Sequence, residues 1–247
     1  MKTVTRALVV RSVDYKDSDK ILTLLTPDMG KLSAGARGCR KKGSAIAAAC
    51  QLLCWSELVL SDRGGKWSVS EASTLREFLG VRRDLDKLAL ACYFAEMAEV
   101  LSVEGMPSPG LLSLTLNSLH ALECLDRPPE QIKAVFELKA MCLAGYEPLI
   151  EGCALCGEED PEQGWFHLQE GVLCCARCRE SGDGWVPLTP GMLAAMRHVV
   201  YGDDKRLFSF RLGGEDLKAL SRLTEDYVQT QLERGFGTLD FYHQMKM

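Results

Sequence analysis

From residue 4 to residue 71, apolar and polar positions alternate in short runs. This is the period-two signature of half-buried strands. Residues 4–13 form a long, β-branched run with Arg6 and Arg11 interleaved, and residues 20–26 a second one. Pro27-Asp28-Met29-Gly30 is a turn sequence, and residues 31–37 give a third strand. Residues 52–60 and 66–71 pair around Ser61-Asp62-Arg63-Gly64-Gly65, a hairpin loop. Five short strands suit a small closed barrel, and the OB-fold is the common five-stranded one. A split sheet or an SH3-like barrel would carry the same pattern.

From about residue 74 the period changes to 3.6. Leu90, Phe94, Met97 and Leu101 line one helical face; Ile132, Phe136, Ala140 and Leu143 line another. Ser108-Pro109 and Pro128-Pro129-Glu130 open helices, Gly145 closes one, and Thr189-Pro190 starts another that ends near Tyr201-Gly202. A last amphipathic helix spans 215–234, with Leu217, Leu220, Tyr227 and Val228 inward. Residues 150–186 lose the periodicity and turn rich in Cys, Gly and Glu. The reading is an α+β chain. An OB-fold β-barrel (1–80) precedes a helical domain (81–149 and 187–247), into which a cysteine module (150–186) is inserted.

Composition adds bounds. With 247 residues, 47% of them hydrophobic and 26% charged, the chain can build its core without disulfides. The longest apolar run, 88–95, is too short for a bilayer. The N-terminus has no secretory pattern, so a cytoplasmic protein with no membrane partner is expected. The net charge of −5 is unevenly spread. Residues 1–80 carry 13 Lys/Arg against 8 Asp/Glu; residues 81–247 carry 16 against 26. Charge acts within a Debye length of about 8–10 Å, so the basic barrel can bind a polyanion despite the acidic remainder.

Eleven cysteines, an odd number, argue against a disulfide framework. Six are scattered among apolar neighbours. Five crowd into residues 153–178, where Cys153-Ala-Leu-Cys156 and Cys175-Ala-Arg-Cys178 stand 18 residues apart. Two CxxC knuckles can surround one tetrahedral Zn²⁺ and leave no open position, so one structural zinc is expected. Cys174 leaves the third ligand open between Cys174 and Cys175, and His167 is a distant alternative. A redox use of one pair is the competing chemistry.

Residues 29–56 contain no acid and five bases, centred on Arg37-Gly38-Cys39-Arg40-Lys41-Lys42-Gly43-Ser44. A basic, glycine-containing loop between strands can follow a phosphate backbone; a solvated loop has the same composition. Aromatics near it are few (Tyr15, Trp55, Trp67), which favours backbone contact over base readout. There is no GxxxxGK[ST], HExxH, GxSxG or GxGxxG. The four histidines occupy unrelated contexts, and Glu96 and Glu99 read as a solvated face. Nothing assembles a nucleophile, base and oxyanion donor, so the chain is not expected to be an enzyme.

The order and spacing of several segments resemble the RecO family of bacterial recombination mediators. They are Val9-Val10-Arg11-Ser12-Val13-Asp14-Tyr15-Lys16-Asp17-Ser18-Asp19-Lys20, Leu24-Leu25-Thr26-Pro27-Asp28-Met29-Gly30-Lys31-Leu32-Ser33, Arg37-Gly38-Cys39-Arg40-Lys41, Phe136-Glu137-Leu138-Lys139, and Gly145-Tyr146-Glu147-Pro148 leading into Cys153-Ala154-Leu155-Cys156-Gly157. The resemblance implies an OB-fold, a helical domain and a zinc module. It implies ATP-independent binding of single- and double-stranded DNA and annealing of complementary strands. It also implies partnership with RecR, with the C-terminal tail of single-strand-binding protein, and indirectly with RecA. On this reading Arg11, Lys16, Lys20, Lys31, Arg37, Arg40, Lys41 and Lys42 neutralise phosphates, and Cys153, Cys156, Cys175 and Cys178 hold the metal. The alternative is a zinc-ribbon module that binds protein or RNA without annealing. Arg82, Arg83, Arg127 and Lys133 are candidates for docking the acidic tail.

Overall fold

A computed structural model describes residues 2–246. It divides into two compact units, Met1–Leu125 with Phe236–Met247, and Asp126–Gly235.

The first unit starts with five strands: β1 (Lys2–Tyr15), β2 (Asp19–Thr26), β3 (Gly30–Ala36), β4 (Trp55–Arg63) and β5 (Lys66–Arg76). They close into a barrel in the order β1-β2-β3-β5-β4. All pairings are antiparallel except β3 with β5, where Ala34 faces Trp67 and Gly35 faces Ser68. This is the OB-like barrel anticipated from the period-two pattern. Alternate residues fill it: Ala7 and Val9, Leu22 and Leu24, Leu32, Ala34 and Ala36, Leu58 and Leu60, and Val69. Leu8 and Val10, on the other face of β1, are buried as well, and a helix packs on that strand.

The turns follow from their residues. Gly30 has φ +65°, and a Cβ there would lie 2.2 Å from the Met106 carbonyl oxygen, so only glycine fits. The β4–β5 hairpin is tighter than its sequence suggests. Arg63 pairs with Lys66, which leaves only Gly64 and Gly65, both at positive φ, in the turn. The chain from Arg37 to Cys54 forms successive turns, so β4 begins at Trp55 and not at residue 52. Cys39 and Cys50 from this segment are buried in the barrel core. Burial, and then the neighbouring Cys39, push the Cys50 thiol up to about 12.

Four helices complete this unit: α1 (Leu79–Arg82), α2 (Leu85–Leu101), α3 (Pro109–Cys124) and, from the far end of the chain, α7 (Gly237–Met245). Asp84 caps α2 by accepting from the Lys87 N–H. Tyr93 of α2 meets Phe236 edge-on at 5.4 Å. Glu96 and Glu99 are not a solvated face. Glu96 accepts from the Thr238 N–H and hydroxyl, tying α7 to α2. Glu99 accepts from Thr23 and Arg11, tying α2 to the barrel.

The second unit contains α4 (Pro129–Leu143), α5 (Pro190–Tyr201), α6 (Gly214–Leu232) and a three-stranded antiparallel sheet, β7-β6-β8, of β6 (Gly164–His167), β7 (Val172–Cys175) and β8 (Trp185–Leu188). The expected helix starts hold: Pro129 and Pro190 are first residues, and Thr189 accepts from the Met192 N–H. Leu217, Leu220, Tyr227 and Val228 of α6 are buried as read from the pattern. Leu143 is not on the inner face, being 42% exposed at the last turn of α4. Glu233 at φ +51° ends α6, close to the expected end, and a further helix, α7, follows that the pattern did not predict. Among the described residues no helix is long and apolar enough to cross a membrane.

Candidate nucleic-acid interface and metal centre

On the first unit the β1–β2 turn, the end of β3 and the β4–β5 hairpin enclose a groove of about 610 Å³. Lys16, Lys20, Arg37, Arg63 and Lys66 line it, with Tyr15 and Trp67; Asp19 and Glu104 are its acids. None of the five bases forms an ion pair with a described residue, although Lys16 and Arg37 act on Asp19 through space; Lys16 also approaches the Tyr15 ring, at 5.3 Å. Lys16, Arg37, Arg63 and Lys66 are exposed, and Lys20 is half-buried.

The other basic positions anticipated from sequence are used differently. Lys31 donates to the Glu99 carbonyl at 2.7 Å, and Arg11 pairs with the Glu99 carboxylate at 3.4 Å. Arg40 pairs with Asp14 at 3.2 Å, and its backbone N–H donates to the Ser18 carbonyl. Lys41 and Lys42 are exposed beyond it. The start of this loop is pinned by Asp19, which accepts from the Gly38 N–H at 2.8 Å. That hydrogen bond first, then Ser18, Lys16 and Arg37, hold the Asp19 carboxyl below its usual range. Arg63 and Lys66 escaped the sequence reading because they flank a hairpin turn. Only the parallel β3–β5 pairing, which has no local sequence signal, brings them beside Arg37. Trp55 does not line the groove.

In the second unit the sulfurs of Cys153, Cys156, Cys175 and Cys178 all lie within 4.8 Å of one another. Cys156 and Cys175 are 3.8 Å apart. Sulfurs on a tetrahedron with bonds of about 2.3 Å stand about 3.8 Å apart, so the donor set fits a tetrahedral metal ion. The first knuckle is a turn in which the Gly157 N–H donates to the Cys153 carbonyl and the Cys153 N–H to the Glu158 carbonyl. Gly157 supplies the positive φ, +75°. The second turn forms as the Cys178 and Arg179 N–H groups donate to the Cys175 carbonyl.

Burial would raise the Cys153 thiol. The amides of Cys175, Cys156 and Leu155 outweigh it and bring the thiol down to about 6. Cys178, hydrogen-bonded to Cys156 and Cys175, is pushed up to about 12. A divalent cation bound by the four sulfurs would displace their protons. Cys174 sits beside Cys175 on β7, where neighbours face opposite ways. It is outside the four-sulfur group. Burial and the adjacent Cys153 push it up to about 11. His167 is also outside; its ring meets Trp185 at 4.7 Å.

Arg197 on α5 clamps the knuckle. It donates to the carbonyls of Ile150, Glu151 and Glu159 and pairs with Asp160 at 2.6 Å. Phe166 meets Tyr227 of α6 edge-on at 5.2 Å.

Lys133 is not a surface cation. Its side chain is 1% exposed and lies 3.0 Å from Glu137, 2.9 Å from Glu225 and 2.9 Å from the Ser221 carbonyl. Burial would lower its pKa; the two carboxylates reverse this and raise it. It has no capacity to dock an external acidic tail.

Comparison with known proteins agrees across both units. Residues 1–78 match the family described as Recombination protein O N terminal, and residues 82–240 match Recombination protein O C terminal. A protein named DNA repair protein RecO from Acetivibrio thermocellus is 31% identical over 237 residues, covering 96% of this chain and 94% of the relative. One of the same name from Symbiobacterium thermophilum is 32% identical over 237 residues, covering 95% and 94%. Another from Caldicellulosiruptor saccharolyticus is 26% identical over 241 residues, covering 98% of each chain. An OB-like barrel, a helical unit with a four-cysteine cluster and matches along nearly the whole chain make this protein a member of the RecO DNA repair family.

Proposed function

We propose that this protein is a recombination mediator that binds single- and double-stranded DNA and anneals complementary strands without ATP. The observation that carries this reading is the barrel groove lined by five bases that form no ion pair with a described residue. Lys16, Lys20, Arg37, Arg63 and Lys66 take phosphates of the incoming strands; Lys41 and Lys42 extend the basic path. Arg11, Lys31 and Arg40, held by their own partners, frame it. Neutralised phosphates repel less, so strands approach and pair, and no nucleotide hydrolysis is required. Tyr15 and Trp67 offer a stacking surface that tolerates any base.

With RecR, the protein then helps load RecA onto DNA coated by single-strand-binding protein, whose acidic tail it contacts. Family membership supports these partners. The four-cysteine cluster holds one structural Zn²⁺, supported by the all-thiolate donor set and the 3.8 Å sulfur spacing. Zinc there orders the insertion and takes no part in a reaction.

The test is duplex formation from labelled complementary strands without ATP, with and without single-strand-binding protein. Acceleration that survives the coating protein is expected. No acceleration by a folded, zinc-loaded sample would leave a nucleic-acid or protein interaction module without annealing activity.

A further inference from the structure

His120, Glu123 and Cys124 stand at i, i+3 and i+4 on α3, so they share one helix face. Their donor atoms lie within 4.8 Å of one another. A single nitrogen meets all three. One terminal guanidinium nitrogen of Arg76 lies 2.8 Å from His120 Nδ1, 2.7 Å from Glu123 Oε2 and 3.9 Å from Cys124 Sγ. Three electron-pair donors of different kinds therefore converge on one point, and a cation already occupies it.

The carboxylate is fixed from behind. Glu123 Oε1 accepts from the Gly80 N–H at 2.9 Å, which leaves Oε2 for the convergent point. Such outer hydrogen bonds orient ligands in metal sites. Burial would raise the Glu123 carboxyl; the Arg76 and Gly80 hydrogen bonds outweigh this and keep it below its usual range. Arg76 is 41% exposed and rests on the Phe78 ring at 4.8 Å. It can leave into solvent, and a half-exposed ion pair is a weak competitor for a divalent ion.

We propose that His120, Glu123 and Cys124 form a second metal site, for a borderline divalent cation of the zinc class, with the Arg76 guanidinium as its resident substitute. The mixed N, O and S donors select against magnesium and calcium, which prefer oxygen alone. Binding moves Arg76 outward, releases the Cys124 thiol proton to water and leaves the fourth position to a water molecule. The site lies on the first unit and is separate from the four-cysteine cluster.

Full-length protein, saturated at its four-cysteine cluster, is dialysed against micromolar zinc and its bound metal counted. A second equivalent is expected in the wild type and is lost in Cys124→Ser and in His120→Ala, both exposed positions. Arg76→Ala removes the competitor and tightens the second equivalent by about tenfold. Cobalt added to the zinc-loaded protein should give a thiolate-to-cobalt absorption that disappears in Cys124→Ser while zinc is retained. A single equivalent in the wild type overturns the proposal, whatever Arg76→Ala binds. A second equivalent that survives both ligand substitutions overturns it as well.

Discussion

Lys20 on the barrel and Lys133 in the helical unit are the same residue type put to opposite uses. Lys133 is removed from water and surrounded by Glu137, Glu225 and the Ser221 carbonyl. Desolvating three charges is unfavourable, and their close contacts offset it only as a complete set. Lys20 stays half-buried in a groove beside four other bases and forms no ion pair with a described residue. A charge that already has its partners contributes to one packing arrangement; a charge without them can attract a polyanion. The barrel groove offers five such bases, although the chain as a whole carries −5.

The comparison breaks most visibly at the buried end. Lys133→Ala leaves two carboxylates facing each other and should destabilise the protein by roughly 3–5 kcal/mol in denaturant unfolding. Lys133→Met keeps the volume but still removes the cation that Glu137 and Glu225 share, so it should rescue little. A loss under about 1 kcal/mol for Lys133→Ala would mean that the buried triad is not a unit.

Metal removal comes next. Zinc at the four-cysteine cluster, as proposed above, should contribute about 2.7 kcal/mol when free zinc is at about a hundred times its dissociation constant. Chelation, or Cys153→Ser, should lower the melting temperature and release the cluster's metal ion. An unchanged melting curve would separate the cluster from the fold's stability.

A smaller effect tests the loop beside the groove. The Asp19 carboxyl is lowered chiefly by the Gly38 N–H, so its tether is present above the ordinary carboxylate pKa and is lost as pH falls through the lowered folded value. Asp19→Ala should reduce hydrogen-exchange protection at Gly38 at neutral pH; the wild type should lose it only in acid. Protection that ignores the substitution would remove Asp19 from the account.

Much of this organisation was legible in the sequence. Strand periodicity, proline-led helix starts and paired CxxC spacing are local signals, and each led to the element found. What escaped was set by tertiary pairing. Glu96 and Glu99 look solvated on a helical wheel, yet α7 and β1 return to bind them. Lys133 looks like surface charge until α6 brings Glu225 to it. Arg63 and Lys66 join the groove only because β5 closes the barrel against β3. His120 gains its context from Arg76, 44 residues away.

The groove's cations should matter least for stability, with each exposed substitution within about 0.5 kcal/mol, and most for binding. The most direct test is the salt dependence of single-stranded DNA affinity. Five phosphate contacts predict a slope of log K against log salt near about −3.5. The triple substitution of Lys20, Arg63 and Lys66 by Ala should flatten it to about −1.4 while the protein stays folded. A slope unchanged by the triple substitution would contradict the assignment of the barrel groove as the DNA-binding surface.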